Sequence, residues 1–418
     1  MRKILINGGK RLEGEVTISG SKNAALPILA ATVLLSSESV IRNIPSLLDV
    51  VTMMRVLRAL GLRAEYYEPD TVKIWPNGGV KHVAPYELVT KMRASFFVIG
   101  PILARAKLAK VPLPGGCAIG SRPVNLHIKG FEAMGAQVSI EHGFVVAKAD
   151  ELHGGNIYLD FPSVGATESI MMAATLANGI TTIENAAQEP EIVDLANFLK
   201  LAGANITGAG SDIITIEGVS ELKGVEHRVI PDRIEAGTMI AAGAITGGDI
   251  RVKGVIPEHL DPFVKKLREA GLSIDFDGHT AHVASNGRLK AVDVKTMPFP
   301  GFPTDMQPQL TTLMALAEGT SVITETVFES RFMYVQELKR MGANIQVEEH
   351  SAIVRGVGSL SSAPIRAYDL RGGAALVLAA LSADGETLIE DNERYIERGY
   401  EHLPEKLNAL GAKVELVG

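Results

Sequence analysis

The chain has 418 residues, of which 46% are hydrophobic and 21% charged, with a formal net charge of -7 at pH 7. This length predicts two domains, and the negative charge argues against a nucleic-acid partner, which requires a basic surface. Every apolar stretch is interrupted well before the roughly 20 residues that span a bilayer, so we expect no membrane insertion.

The N-terminal segment and the cysteine content indicate the compartment. The apolar run at residues 4–6 is too short for the core of a signal peptide. The chain has one cysteine, Cys117, which cannot form an internal disulfide. We therefore expect a cytoplasmic protein with a reduced thiol.

One pattern recurs along the chain: two apolar positions three residues apart, then Gly, then Ala or Leu. It occurs as LRALGL (57–62), FEAMGA (131–136), LKLAGA (199–204), LREAGL (267–272), LKRMGA (338–343) and LNALGA (407–412). The pattern predicts an amphipathic helix that ends at a left-handed glycine. Alternating residues follow it, as in 344–347 and 413–417, and predict strands.

Each repeat also contains an Ala-rich helix that is apolar on nearly all sides, which predicts burial. These helices begin near Ala24, Ala94, Ala166, Glu235, Met306 and Gly373. The amphipathic helices carry charges on one face, as at 265–269, and are expected to face solvent.

Six repeats over two domains predict an α/β fold with three repeated units per domain. A Gly-rich break near 218–228 separates the two halves, and the strand before Ser19 belongs to neither by repeat count. We assign residues 20–229 to one domain and residues 1–19 plus 230–418 to the other.

The segments that lead into the buried helices carry polar and charged residues. They read GSKNAA, KMRASF, PSVGAT, PDRIEA, PTDMQP and DLRGGA. Helix N-termini attract phosphate and carboxylate, so three converging N-termini from each domain would surround an anionic ligand in a cleft. Alternatively, residues such as Ser163, Thr304 and Asp305 only cap their helices.

Four of these segments place a cation where the helix dipole disfavours one, at Lys22, Arg93, Arg233 and Arg371. Such a cation is expected to have an anionic partner. The aspartates just before Arg233 and Arg371 are alternatives to a ligand. Lys22 and Arg93 have no such neighbour and are the stronger ligand candidates.

Cys117 lies in the segment PLPGGCAIGSRPVNLH (112–127), whose Pro and Gly content predicts a loop. An isolated cysteine is often a small buried hydrophobe, but the flanking glycines leave this one uncovered and Arg122 could stabilise its thiolate. No metalloprotease, paired-cysteine or P-loop motif is present. The residues predict a cleft enzyme for a multiply anionic substrate, with Cys117 as acid or nucleophile.

The motifs PGGCAIGSRP, GSKNAALP, PSVGATES, PDRIEAGT, GFPTDMQPQ and DLRGGAAL resemble the UDP-N-acetylglucosamine enolpyruvyl transferase family. This resemblance implies two inside-out α/β barrel domains, each pseudo-threefold, with the active site in the interdomain cleft. It also implies transfer of the enolpyruvyl group of phosphoenolpyruvate to the 3′-hydroxyl of UDP-N-acetylglucosamine with release of phosphate. That reaction is the first committed step of peptidoglycan synthesis and uses no metal and no organic cofactor.

The resemblance also implies roles for individual residues. Cys117 corresponds to the proton donor, which can add to phosphoenolpyruvate and be alkylated by fosfomycin, and Asp305 corresponds to the proposed base. The cations around the phosphate correspond to Lys22, Arg122 and Arg398, and the carboxylate segment contains Arg371. Contacts to the nucleotide sugar correspond to Asn23, Arg93, Ser163, Val164, Gly165 and Val327. The uridine-binding segment corresponds to Arg122, Pro123, Val124, Asn125 and Leu126.

Two positions depart from the family pattern. Asn125 replaces an Asp of many relatives and can still accept a hydrogen bond from uracil, and Leu48 replaces a Lys of some members. Two other functions fit the sequence less well. The enolpyruvyl transferase that acts on shikimate phosphate lacks the PGGC loop, and a DNA-encircling clamp of repeated units needs a basic inner face. The sequence indicates no protein partner.

Overall fold

The computed structural model describes residues 2–90, 92–114, 124–285 and 287–418. Within them, contacts between Cα atoms divide the chain into two units. Among the described residues, the N-terminal unit comprises 20–90, 92–114 and 124–230, and the C-terminal unit comprises 2–19, 231–285 and 287–418.

The described residues form helices and short strands throughout both units. The helices are α1 (Lys22–Ala31), α2 (Leu48–Ala59), α3 (Tyr86–Val89), α4 (Ile99–Ala106), α5 (Asn125–Ala133), α6 (Val164–Ala174), α7 (Pro190–Leu201), α8 (Arg233–Ile245), α9 (Asp261–Glu269), α10 (Gln307–Leu316), α11 (Val335–Arg340), α12 (Leu370–Ser382), α13 (Tyr395–Gly399) and α14 (Leu403–Ala409). Single 3₁₀ turns occupy Thr32–Leu34, Arg93–Val98, Pro257–His259 and Thr304–Met306.

The strands are two to six residues long. They are β1 (Lys3–Asn7), β2 (Glu13–Thr17), β3 (Ser39–Arg42), β4 (Arg63–Glu68), β5 (Thr71–Trp75), β6 (Leu108–Pro112), β7 (Gln137–Glu141), β8 (Phe144–Lys148), β9 (Asn156–Tyr158), β10 (Ile180–Glu184), β11 (Asn205–Thr207), β12 (Ile213–Glu217), β13 (Glu226–Arg228), β14 (Asp249–Lys253), β15 (Ser273–Asp277), β16 (Thr280–Ala284), β17 (Val294–Lys295), β18 (Thr320–Thr324), β19 (Asn344–Glu348), β20 (Ser351–Arg355), β21 (Pro364–Arg366), β22 (Glu386–Glu390) and β23 (Val414–Val417).

These strands form small sheets, three in each unit among the described residues, of which the five four-stranded sheets are mixed and the three-stranded sheet is antiparallel. The N-terminal unit has the orders β13-β3-β5-β4, β6-β8-β7 and β9-β10-β12-β11. The C-terminal unit has the orders β2-β14-β16-β15, β17-β18-β20-β19 and β21-β22-β1-β23. In every four-stranded sheet the first strand pairs parallel with the second and the other pairs are antiparallel, as in β13 with β3 and β3 with β5. The sheets are therefore copies of one unit, as the repeat predicts.

The recurring glycines end helices in the way that the repeat predicts. Their φ angles lie between 88° and 111°, at Gly61, Gly135, Gly203, Gly271, Gly342 and Gly411. In every copy the N–H after the glycine donates to the carbonyl five residues back, as from Leu62 to Leu57 at 3.1 Å and from Ala412 to Leu407 at 3.1 Å. This is the Schellman motif, in which the residue after the glycine packs on the helix. The pattern of apolar, Gly and Ala or Leu is thus the signature of that motif.

The Ala-rich helices are buried along almost their whole length, as predicted, except for the last three residues of α4. We call them the inner helices: α1, α4 and α6 in the N-terminal unit, and α8, α10 and α12 in the C-terminal unit. In the C-terminal unit the three inner helices contact one another in pairs. Four of them begin two or three residues before the predicted positions, and 3₁₀ turns at Arg93–Val98 and Thr304–Met306 precede the other two.

None of the helices in the described part of the chain combines the length and apolar character that crossing a membrane requires.

The N-terminal segment completes the C-terminal unit. Strand β1 lies between β22 and β23, and β2 pairs parallel with β14. The segment therefore supplies strands to two different repeats, which explains why a repeat count along the sequence left it unassigned.

The Gly-rich segment at 218–228 lies just before the division between the two units. Its last residues form β13, which pairs parallel with β3 near the start of the same unit. The chain passes to the C-terminal unit after Ile230. A Gly-rich composition cannot distinguish this turn from a linker, because only the pairing partner 186 residues away defines the strand.

Candidate active site

The proposed acid, Cys117, lies outside the described residues, as do Arg122 and Pro123. Their roles therefore stay predictions. The other predicted site residues are described, and they fall into one group in each unit.

In the N-terminal unit, Lys22 begins α1 and is buried, with 6% of its surface exposed. The side chain of Ser21 caps the helix by accepting from the N–H of Ala24. The Lys22 Nζ lies 3.4 Å from Oδ2 of Asp49, in the first turn of α2. A buried ammonium needs an anion, and here the sequence-distant Asp49 provides one. Asn23 follows Lys22 and is half-buried.

Arg93 opens the 3₁₀ turn that contacts both α1 and α6. Burial, and then the charge of Arg93, lower the pKa of His127 to about 3, so this imidazole is neutral at physiological pH. The His127 ring packs edge-on against Phe96, with 5.3 Å between ring centroids. Arg93 therefore lies near a neutral imidazole, and His127 adds no second positive charge there.

Gly165, in the first turn of α6, allows the rings of His127 and Phe97 to pack closely against the start of this helix. A Cβ added there would lie 3.3 Å from His127 Nε2 and 3.3 Å from Phe97 Cε1. Ser163 caps α6 by accepting from the N–H of Ala166, as the capping alternative predicts. Residues 163–165 are only half-buried, whereas the helix is fully buried from Ala166 onward. The open N-terminus of α6 is therefore available to a ligand.

The uridine segment is described from Val124 onward. Val124 is buried, Asn125 is exposed at the start of α5, and Leu126 is half-buried. The exposed amide of Asn125 can accept or donate a hydrogen bond.

In the C-terminal unit, Asp305 lies between two buried arginines. Its Oδ1 accepts from Arg331 Nη2 at 3.0 Å, and its Oδ2 accepts from Arg371 Nε at 3.1 Å. The side chains of Arg331 and Arg371 are 1% and 2% exposed, whereas Asp305 is 27% exposed. Two guanidinium groups therefore hold a partly exposed carboxylate in one orientation.

The suggestion that Asp369 is the anionic partner of the Arg371 guanidinium was wrong. The carboxylate of Asp369 caps α12 by accepting from the N–H groups of Arg371 and Gly372, both at 2.9 Å, and the guanidinium reaches Asp305 instead. Burial is the largest single influence on Arg371 and lowers its pKa, but Asp305, Tyr400 and Asp232 together raise the pKa by more, so Arg371 stays charged. Asp232 likewise caps α8 through the N–H groups of Ile234 and Glu235.

Glu325 joins the segments that carry Thr304 and Val327. Its Oε2 accepts from the Thr304 hydroxyl at 2.9 Å, and its Oε1 accepts from the Val327 N–H at 2.8 Å. Because Glu325 is only 2% exposed, these bonds are shielded from water. Val327 is therefore held at a constant position relative to the turn that carries Asp305.

Arg398 lies near the end of α13, which packs against α12, and its side chain is half-buried. Helix α12 begins with the segment that contains Arg371. The C-terminal unit thus presents two arginines from adjacent helices and one oriented carboxylate.

The structure also shows positioning residues that the sequence did not reveal. Arg331 and Glu325 were missed, since neither belongs to a helix start or a recurrent motif. Asp49, which follows Leu48 in the sequence, was not predicted as the partner of Lys22. Among the residues that the structure describes, no group of three or more His, Cys, Asp or Glu side chains could hold a metal ion.

Comparison with known proteins identifies the family of this chain. A family model described as EPSP synthase (3-phosphoshikimate 1-carboxyvinyltransferase) matches residues 6–407. The chain belongs to this carboxyvinyltransferase family. It is 55% identical, over 99% of both chains, to UDP-N-acetylglucosamine 1-carboxyvinyltransferase 1 of Caldanaerobacter subterraneus subsp. tengcongensis. It is 56% identical to UDP-N-acetylglucosamine 1-carboxyvinyltransferase of Gloeobacter violaceus, over 98% of this chain and 89% of that protein.

Solved structures extend the likeness to the fold. The enolpyruvyl transferase NikO from Streptomyces tendae superposes with a TM-score of 0.90 at 27% identity, covering 100% of this chain and 99% of that one. The mixed α/β architecture is thus that of the carboxyvinyltransferase family, and the resemblance found in the sequence is confirmed. The protein is a transferase.

Proposed function

We propose that this protein transfers the enolpyruvyl group of phosphoenolpyruvate to the 3′-hydroxyl of UDP-N-acetylglucosamine and releases phosphate. The observation that carries this proposal is the 55% identity, over nearly the full length, with a relative named for that acceptor. The described site is compatible with it, because both units present cations at helix starts and both substrates are anionic. The reaction belongs to peptidoglycan synthesis.

The chemistry proceeds by addition and elimination. The methylene carbon of phosphoenolpyruvate takes a proton, for which Cys117 is the proposed donor, while the sugar hydroxyl oxygen bonds to the adjacent carbon. The hydroxyl proton passes to a base, and Asp305 is suited to that role as a partly exposed carboxylate. Loss of a proton from the new methyl group and cleavage of the carbon–oxygen bond to phosphate then give the enol ether and free phosphate.

The cations have complementary proposed roles. Those around the phosphate are Lys22, Arg122 and Arg398, and Arg371 faces the carboxylate. Charged hydrogen bonds of this kind stabilise the negative charge that develops during addition. Lys22 is held by Asp49 and Arg371 by Asp305, so both are oriented before substrate arrives.

The remaining proposed residues bind the nucleotide sugar. They are Asn23, Arg93, Ser163, Val164, Gly165 and Val327, with the segment Arg122, Pro123, Val124, Asn125 and Leu126 at the uracil. The partly exposed N-terminus of α6 supports this, because the start of a helix attracts the negative charge of a diphosphate.

We further propose that each unit is a domain of the inside-out barrel type and that the active site lies in the cleft between them. Three sheets in each unit and the mutual contacts of α8, α10 and α12 support the barrel assignment. The proposed domain limits are 20–229, and 1–19 with 230–418. A role for a reduced thiol also fits a cytoplasmic location.

Phosphate release from phosphoenolpyruvate tests the function directly. We expect release in the presence of UDP-N-acetylglucosamine and almost none in its absence. Shikimate 3-phosphate is the control acceptor, because the family model is named for it. Release that depends on shikimate 3-phosphate and not on the nucleotide sugar would overturn the proposal.

A further inference from the structure

Ser19 is the last residue before the chain leaves the C-terminal unit for the N-terminal unit. Its backbone is held on both sides by the start of α8. The Ser19 N–H donates to Glu235 Oε2 at 2.9 Å, and the Ser19 carbonyl accepts from the Asp232 N–H at 2.9 Å. The chain is therefore fixed at the point of crossing.

Lys406, on α14, holds the Ser19 side chain. Its ammonium donates to Ser19 Oγ at 2.6 Å and forms an ion pair with Glu235 Oε1. The Ser19 hydroxyl in turn donates to Glu401. The side chains of Glu235 and Lys406 are 3% and 15% exposed. We call Ser19, Glu235 and Lys406 the crossing anchor.

The crossing anchor lies directly before proposed substrate-binding residues. Ser21, two residues on, donates its N–H to the Ile230 carbonyl at 2.7 Å and caps α1. Lys22 follows, and three residues of chain extend at most about 11 Å. Because the segment is bonded at Ser19 and again at Ser21, the anchor restricts where Lys22 and Asn23 can lie.

We propose that Glu235, acting with Lys406, is a positioning residue that places Lys22 and Asn23 for enolpyruvyl transfer. The inference rests on the proposed function. Glu235 itself touches neither substrate in this proposal. Its carboxylate accepts from Ser19 and from Lys406 at once, which a neutral carboxyl group cannot do equally well.

The charges around Glu235 set the pH at which the anchor operates. Burial raises the pKa of Glu235 to about 7, although Lys406 lowers it. Asp232, at the cap of the same helix, raises it further. Glu401 accepts a hydrogen bond from the Ser19 hydroxyl and adds a further carboxylate near the anchor. The ionised anchor is therefore lost as the pH falls below about 7.

The test compares Glu235→Gln with the wild type across pH. Gln has the size of the protonated carboxyl group, so we expect kcat/KM for phosphoenolpyruvate to fall about tenfold at pH 8 and to converge with the wild-type value near pH 6. Phosphoenolpyruvate ionises identically in both assays, so its ionisation cancels when kcat/KM of the wild type is divided by kcat/KM of the variant. Asp261→Asn, which removes an exposed ion pair with Lys265 in the same unit, is the control and is expected to match the wild type.

Amide hydrogen exchange without substrates provides a second measurement. Exchange in residues 19–24 is expected to rise at least tenfold in Glu235→Gln and in Lys406→Met, and to stay near wild type in Lys406→Arg. If Glu235→Gln does not fold, the comparison of Lys406→Met with Lys406→Arg tests the inference in its place.

A ratio of kcat/KM that is constant with pH, or unchanged exchange at 19–24, would overturn the inference. A wild-type protein without acceptor-dependent phosphate release would contradict the proposed function alone, because the exchange measurement does not require turnover.

Discussion

At the scale of single residues, the most constrained group is the carboxylate of Asp305. Two guanidinium groups that are almost fully buried bind its two oxygens, while about a quarter of its own surface remains exposed. Removing one member of a buried ion pair costs about 3–5 kcal/mol, because the remaining charge is left uncompensated. Loss of Asp305 alone would therefore destabilise the C-terminal unit, because Arg331 and Arg371 would stay buried without this anion.

Asp305→Asn keeps the size of the side chain and removes its charge and basicity. We expect turnover to fall by about 10²–10⁴-fold, with a much smaller change in the dissociation constant of UDP-N-acetylglucosamine measured by calorimetry. The melting temperature should fall too, since Arg331 and Arg371 lose their anion. Asp249→Asn, at an exposed pair with His282, is the matched control. Unchanged turnover would exclude Asp305 as the base.

The proposed acid is tested by Cys117→Ser. Because a hydroxyl is a far weaker acid than a thiol at neutral pH, turnover should be nearly abolished while the nucleotide sugar still binds. Fosfomycin should add one mass equivalent to the wild-type peptide that contains Cys117, and none to the variant. Turnover within about twofold of wild type, or an adduct elsewhere, would contradict an obligatory thiol.

At the scale of secondary-structure elements, the recurring sequence pattern encodes the end of a helix as well as the helix itself. Six glycines with positive φ end the helices α2, α5, α7, α9, α11 and α14, and direct the chain into the next strand. The expectation that these helices face solvent was wrong for α7, which is buried along most of its length against α1 and α6. Side chains with a Cβ adopt this conformation only at a cost of about 1–2 kcal/mol. The element boundaries are consequently encoded locally, which is why they could be predicted closely.

Gly203→Ala isolates this backbone effect. A Cβ at Gly203 meets nothing within 4 Å, so any destabilisation comes from its φ of 111°. We expect the free energy of unfolding to fall by about 1 kcal/mol in a urea titration. Gly79→Ala, which also meets nothing within 4 Å but lacks a positive φ, should be neutral or slightly stabilising. Equal effects at the two positions would refute the assignment of strain to Gly203.

At the scale of the whole molecule, buried titratable groups couple stability to pH in opposite directions. Burial, and then the nearby Glu191 and Glu189, raise the pKa of Glu168 well above its usual value. Neither of its carboxyl oxygens has a hydrogen-bond partner among the described residues. Its contribution to stability is present below about pH 4.5 and is lost as the pH rises. His127, whose pKa is lowered, costs stability as the pH falls below about 6.5.

Glu168→Gln separates these contributions. Gln mimics the protonated carboxyl group, so the variant and the wild type should have similar free energies of unfolding at pH 4.5. Above that pH the wild type should lose up to about 1.4 kcal/mol per pH unit relative to the variant. Denaturant titrations at pH 4.5, 6 and 7.5 measure the difference. A difference that does not change with pH would show that Glu168 is ionised in the folded protein.

The sequence by itself determined the repeat, the two kinds of helix, their glycine ends and the family, because each depends on residues a few positions apart. It also pointed to Lys22, Asp305 and Arg371 as site candidates. Only the tertiary structure decided that Asp49 pairs with Lys22, that Arg331 and Arg371 hold Asp305, and that Lys406 reaches Ser19. It likewise placed β1 and β2 with strands more than 200 residues away. Such pairings follow from packing and from the need of each buried charge for an opposite charge, and no local pattern records which distant residue provides it.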